Sequence, residues 1–147
     1  MTSTNLIALV TGASSGIGKA TAQRLAAAGY KVYGTSRSGG QKDQQHNIKM
    51  LSLDVTSDES VAAAVAELLR LEGRIDLLVN NAGFGVAPGG AEESSMEQAH
   101  AIFNTNFFGL IRMVRAVVPH MRKQGSGRII NIGSVLGFIP MPYGALY

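Results

Sequence analysis

The sequence contains no cysteine. That excludes a disulfide scaffold and a thiolate metal site, and it suits a reducing cytosol. Charged residues are also sparse, 16% of the chain against 46% hydrophobic, a balance that fits a buried α/β sheet and argues against disorder. The N-terminus has no long apolar run. Met1-Thr2-Ser3-Thr4-Asn5 holds no basic residue, and the short apolar stretch after it ends at Thr11. This is too short and wrongly flanked for a signal peptide or a membrane span, so a cytoplasmic protein with no membrane partner is expected. His46, His100 and His120 show no metal-ligand spacing and read as solvated surface histidines. Net charge is +3, yet the densest basic group is only Arg122, Lys123 and Arg128. It falls where a helix ends, and the helix dipole favours cations there. No nucleic-acid partner is therefore expected.

What is present is an alternation of buried strands and amphipathic helices. Residues 6–10 form a continuous apolar, partly β-branched run, as expected of a strand covered on both faces. A helix over 16–28 follows, with Ile17, Thr21, Leu25 and Ala28 on one stripe. Strands are predicted over 31–35, 48–53, 75–79 and 128–133, and the polar stretch 38–47 reads as a crossover shortened to a turn. A capping box from Thr56 to Glu59 starts a helix with Val61, Val65 and Leu68 buried. A second box, Ser94 to Glu97, starts a long helix with Phe103, Phe107, Leu110, Val114, Val117 and Met121 on its stripe. Pro119 is expected to kink its last turns. Such an alternation predicts an α/β fold, a Rossmann-type doubly wound parallel sheet with right-handed crossovers. No internal linker appears, so 1–147 reads as a single domain.

The strand–helix junction Thr11-Gly12-Ala13-Ser14-Ser15-Gly16-Ile17-Gly18 is the first chemical signal. Glycines let the backbone turn sharply and approach a pyrophosphate, while the free N–H groups of the helix start face the anion. The alternative is a tight turn that needs glycine only for positive φ. Placement directly after a buried strand and before a helix favours the first reading.

The spacing G-x-x-x-G-x-G resembles the short-chain dehydrogenase/reductase family, in its shorter-chain branch. Further matches follow in order: Asp54-Val55, Asn80-Asn81-Ala82-Gly83, Asn106, and Ser134 with Tyr147 thirteen residues later. The resemblance covers the whole chain. It implies a dinucleotide held by Gly12, Ser14, Ser15, Gly16, Ile17 and Gly18, with Asp54 and Val55 at the adenine edge and Asn81 and Gly83 beside the ribose. Asp54 and Asn81 also have plain readings, as a turn starter and a backbone-bonding strand cap. Asn106 lies on the apolar side of its helix, where an unpartnered amide costs about 1–3 kcal/mol. The resemblance gives it a water in a proton relay, and the alternative is a structurally satisfied amide.

The end of the second strand carries Thr35-Ser36-Arg37-Ser38 and no acid. An acid there would bind a free ribose 2′-hydroxyl, whereas an arginine grips a 2′-phosphate through its planar fork. NADP(H) is therefore expected over NAD(H), unless Arg37 is simply an exposed loop cation. By resemblance Ser134 polarises a carbonyl and Tyr147 gives or takes the proton. The lysine that lowers the tyrosine pKa would stand at position 151, beyond this chain. The resemblance also implies further strands and helices past Tyr147, so the 147 residues alone are expected to be inactive. The intact protein is expected to be an NADP(H)-dependent carbonyl reductase or alcohol dehydrogenase with a small-molecule substrate, and a homo-oligomer. The rival reading is a non-catalytic dinucleotide-binding or sensor module. Pro140-Met141-Pro142-Tyr143 sits where the substrate mouth is expected, and its apolar character suits a ketone, aldehyde or sterol-like substrate.

Overall fold

A computed structural model describes residues 6–39, 47–85 and 89–147. Most of the polar stretch after the second strand, and His46 with it, lies outside the described residues. Five strands are present: β1 (Ile7–Val10), β2 (Lys31–Ser36), β3 (Lys49–Ser52), β4 (Leu77–Asn80) and β5 (Arg128–Asn131). The main helices are α1 (Gly16–Ala27), α2 (Asp58–Glu72), α3 (Met96–Ile102) and α4 (Gly109–Gln124). A π-helical turn, Phe103–Phe108, joins α3 to α4, and a 3-10 turn, Val135–Gly137, follows β5.

The sheet is wholly parallel in the order β3-β2-β1-β4-β5. Chain order reverses direction at β1, since β1 lies between β2 and β4. A crevice at such a reversal, outside the carboxyl ends of the strands, is where open α/β sheets take ligands. Successive side chains of a strand point to opposite faces, and the core divides accordingly. Ala8, Val10, Val32, Leu77 and Val79 share one cluster with Ala22 of α1. Ile7, Leu9, Tyr33 and Leu78 face the other way, onto Val61, Val65 and Leu68 of α2 and Met113, Val117 and Met121 of α4. Each large apolar side chain fully buried this way contributes about 1.5–3 kcal/mol.

Local chemistry moved several expected features by one residue. In α1 the buried positions are Gly18 and Ala22, and Ile17 is 66% exposed. The stripe through Ile17 therefore gives way to one through Gly18, because the helix comes closest to the sheet where only a hydrogen fits. Ser57, not Thr56, caps α2, accepting the Ser60 N–H at 3.2 Å. Thr56 is already engaged, since its hydroxyl donates to Asp54 Oδ1 at 2.7 Å. Ser95, not Ser94, caps α3 and closes a box with Gln98, while the Ser94 hydroxyl donates to the Gly90 carbonyl.

The long helix shows the largest change. An unbroken 4-3-4-3-4 stripe assumes 3.6 residues per turn throughout, but in the π-turn the Gly109 N–H reaches back five residues to the Asn104 carbonyl. The frame rotates there, leaving Phe103 and Phe107 each 52% exposed while Ile102 is buried upstream. Val117 and Met121 are buried as expected, joined by Met113 in place of Val114. The helix continues through Pro119 to Gln124. The run Met96–Gln124 is long and apolar enough to cross a membrane by length and composition alone. Its Met113, Val117 and Met121 belong to the core. Among the described residues β5 pairs with β4 alone, and as an edge strand it leaves Ile130 42% exposed.

At the opposite end of the sheet from the crevice, Asp76 ties β1 and α4 to the segment that leads into β4. It accepts from the Ile7 N–H at 2.8 Å, from Arg74 Nη2 at 2.5 Å and from Gln124 Nε2 at 3.2 Å. Burial pushes its pKa up, but the Arg74 guanidinium and the Ile7 N–H outweigh that and hold it below the usual carboxylate value. A depressed folded pKa makes this stabilisation present above the unfolded value near 3.9 and lost as pH falls through the folded one. Asp76→Ala is expected to lower unfolding free energy by about 2–3 kcal/mol at pH 7. Urea titration should show that gap narrowing below pH 4, and an equal gap at pH 7 and pH 3 would contradict the assignment.

Candidate functional site

The glycine loop is built by Thr11, a residue not singled out from the sequence as functional. Its side chain is buried at the end of β1 and accepts the N–H groups of Asn81 at 2.9 Å and Ala82 at 3.0 Å. In return Asn81 Nδ2 donates to the carbonyls of Thr11 at 2.9 Å and Gly12 at 3.1 Å. The loops after β1 and β4 thus hold each other, and Asn81 has the bracing role read from its sequence. A polar residue ending a buried apolar run was the signal for Thr11.

Gly12 and Gly16 both take positive φ, +66° and +53°. Gly18 has ordinary φ but no room. A Cβ there would overlap the Gly12 carbonyl oxygen and Asn81 Nδ2, and would lie 2.9 Å from the Gly12 carbonyl carbon. Space around Gly16 is open, with nothing within 4 Å of a Cβ built on it. Ser14, Ser15 and Ile17 are exposed around that opening. Ser15 makes no side-chain cap bond and the first turn of α1 holds no acid, so neither the cap nor the first turn offsets the positive end of the helix. An open glycine cradle at an uncapped helix start fits the pyrophosphate of a dinucleotide.

Arg37 stands just past β2 with its side chain exposed, and it forms no ion pair among the described residues. Its carbonyl accepts from the Ser52 hydroxyl at 3.2 Å, which anchors the turn to β3. Asp54 follows β3, and its Oδ1 accepts the Thr56 N–H and hydroxyl. Those two bonds hold its carboxyl below the usual range, with the Arg37 and Arg112 guanidiniums adding smaller pulls. Asp54 is therefore ionised at neutral pH, and of its two carboxyl oxygens only Oδ1 is hydrogen-bonded among the described residues. Val55 is buried, and its carbonyl accepts from Arg112 Nη1 at 3.4 Å.

Asn106 lies in the π-turn. Its Nδ2 donates to the Phe84 carbonyl at 2.8 Å, and its Oδ1 accepts the Phe84 N–H at 3.0 Å. Both ends of the amide are thus satisfied by one backbone residue, the structural alternative raised by the sequence. The bond fixes residues 83–85: a Cβ on Gly83 would meet Asn106 Oδ1 at 3.1 Å, and one on Gly85 would meet the Tyr147 ring at 3.7 Å. Ser134 caps the 3-10 turn, its Oγ accepting the Leu136 N–H at 3.1 Å. One lone pair is thereby occupied while the hydroxyl proton remains to be given. Tyr147 is half-exposed and lines a cavity of about 210 Å³ with Gly85, Ser94, Leu136, Met141 and Tyr143. The 140–143 segment therefore does border a cavity. Ser134 is not among its lining residues, although Leu136, which its side chain caps, is. His100 and His120 are exposed, and no acid–histidine cluster able to hold a metal occurs among the described residues.

Comparison with known proteins agrees with this arrangement. The sequence profile of the short chain dehydrogenase family matches residues 6–147. The chain belongs to that family. It is 46% identical over 141 residues to a 3-ketodihydrosphingosine reductase of Bacteroides thetaiotaomicron, covering 96% of this chain and 51% of that protein. It is 38% identical over 147 residues to an NADP-dependent 3-hydroxy acid dehydrogenase of Salmonella typhimurium, covering 97% and 59%. Among solved structures, a metagenomic short-chain oxidoreductase in complex with NADP superposes with TM-score 0.89 at 31% identity, covering 99% of this chain and 70% of that one. The chain spans about half the length of the curated relatives it matches.

Proposed function

We propose that the intact protein is an NADP(H)-dependent oxidoreductase that moves a hydride between nicotinamide and a carbonyl or secondary alcohol. One observation carries this reading: the uncapped glycine cradle of α1, Arg37 and Asp54 converge at the carboxyl ends of β1, β2 and β3. Gly12, Ser14, Ser15, Gly16, Ile17 and Gly18 would hold the pyrophosphate, Arg37 the 2′-phosphate, and Asp54 with the Val55 backbone the adenine edge. Asn81 and Gly83 would border the ribose. The bound dinucleotide supplies or accepts the hydride. Ser134 donates its hydroxyl proton toward the substrate oxygen, since the Leu136 N–H already occupies its acceptor side. Tyr147 gives the proton that the developing alkoxide takes up, or removes it in the reverse direction. Asn106 acts through residues 83–85, whose backbone it holds beside the Tyr147 ring. NADP-dependent relatives and an NADP-bound neighbour support the cofactor.

The substrate we assign is a ketone on an apolar chain. Leu136, Met141, Tyr143 and Leu146 line the cavity beside Tyr147, and among the described residues no charged side chain does. The relative that reduces 3-ketodihydrosphingosine supports the same class. Residues 1–147 are read as one NAD(P)-binding domain. A cytoplasmic location, self-assembly of the intact protein, and the lack of membrane or nucleic-acid partners belong to the same proposal. The cysteine-free sequence, the scattered basic residues and the exposed Phe103–Phe107 pair support it.

Arg37→Asp tests the cofactor assignment. The substitution places a carboxylate against the 2′-phosphate, so the kcat/KM ratio of NADPH to NADH should fall about 100-fold. A ratio unchanged within error removes Arg37 as selector.

A further inference from the structure

Arg112 of α4 is not among the residues that the glycine-loop and hydroxyl motifs mark, yet its contacts join the loop after β3, the start of α2 and the π-turn. Its Nε lies 3.1 Å from Asp58 Oδ1. Its Nη1 donates to the Val55 carbonyl at 3.4 Å and to the Asn104 carbonyl at 3.3 Å. The Asn104 carbonyl is the one that also takes the Gly109 N–H in the π-turn. On the same loop, Gly109 leaves no space, because a Cβ there would lie 2.8 Å from Val55 Cγ2 and 3.3 Å from the Val55 carbonyl oxygen. One helix therefore presses on Val55 through Gly109 and ties its carbonyl through Arg112. The Arg112 side chain is largely covered, 22% exposed, while that of Asp58 is 84% exposed. The contacts to carbonyls are thus the better shielded ones, and the ion pair is open to solvent screening.

We infer that Arg112 is a positioning residue for the adenosine half of the cofactor: its fork fixes the Asp54–Val55 loop against the π-turn that carries Asn106. This rests on the proposed dinucleotide site. Nε and Nη1 of one planar fork hold a carboxylate and two carbonyls from three segments in fixed relation, which a lysine ammonium, a point charge on a flexible stem, does less well. Nη1 of Arg112 bridges the Asn104 and Val55 carbonyls, and its effect runs through the geometry of that loop.

The test is calorimetric titration of adenosine 2′,5′-bisphosphate, alongside NADPH kinetics, on the intact protein and its variants. Arg112→Ala should weaken bisphosphate binding about tenfold, the loss of one to two carbonyl hydrogen bonds expressed as affinity. KM for NADPH should rise in parallel, with kcat at saturating NADPH within about twofold of the parent. Arg112→Lys should recover little of the affinity, and Asp58→Ala should cost under about twofold because that carboxylate is solvent-screened. Gly109→Ala, which pushes Val55 from the other side, should weaken binding without altering charge. Parent-like affinity in Arg112→Ala overturns the inference, and full recovery in Arg112→Lys assigns the effect to charge and overturns it equally. If Arg112→Ala does not fold, Arg112→Lys and Gly109→Ala decide the matter by the same affinities. Failure of the parent protein itself to bind the bisphosphate would sink the cofactor assignment, and this inference with it.

Discussion

Ser134→Ala in the intact protein is expected to lower kcat for carbonyl reduction by about 10²–10³, the cost of deleting one donor aimed at a developing oxyanion. NADPH affinity should stay within about twofold, because the hydroxyl follows β5 and no dinucleotide-site residue touches it. The geometry sets this expectation. Ser134 Oγ already accepts the Leu136 N–H, so the proton it carries is the group left to act on a substrate. The same substitution removes the cap of the 3-10 turn, at about 1 kcal/mol. Stability must therefore be measured beside turnover. A fall in kcat explained wholly by a lower folded fraction, or near-normal turnover, would remove Ser134 from the chemistry.

Gly18→Ala should act on the other half of the site. The added methyl meets the Gly12 carbonyl and the Asn81 amide, neither of which has slack, since Asn81 Nδ2 is already bonded to the Thr11 and Gly12 carbonyls. Forcing them apart costs about 1–3 kcal/mol of strain, and it opens the pairing that shapes the glycine loop. NADPH should bind about 10–100-fold more weakly, with a smaller loss in Tm. Unchanged NADPH affinity would show that the tight junction at Gly18 serves packing alone.

The sequence made most of the fold legible where hydrophobic period and glycine placement coincide. Buried strands such as 6–10 could take no other arrangement, and the alternation with helices left a parallel sheet. The errors are instructive because each has a local cause. Thr56 and Ser57 are equally good caps by type, and only the Asp54 side chain, which claims Thr56, decides between them. Ile17 is the larger apolar residue, but the helix approaches the sheet through Gly18. The π-turn is invisible to a periodicity argument, since it inserts residues without changing composition, and it is what turns Phe103 and Phe107 outward. The candidate site was legible as a set of ordered motifs. The wiring between them was not: Thr11 joining two loops, Asn106 gripping the Phe84 backbone, and Arg112 reaching Val55 are contacts made by tertiary packing.

The central proposal is that in the intact protein these residues hold NADP(H) for hydride transfer to an apolar ketone. The most direct test follows loss of NADPH absorbance by the intact protein with long-chain 3-keto compounds, alongside NADH and alongside short charged keto acids. Stoichiometric conversion of NADPH and ketone to NADP and alcohol, faster with the long apolar chain and weak with NADH, is the result expected. NADPH binding without turnover on any carbonyl would contradict it, and would identify instead a dinucleotide-binding module with no catalytic role.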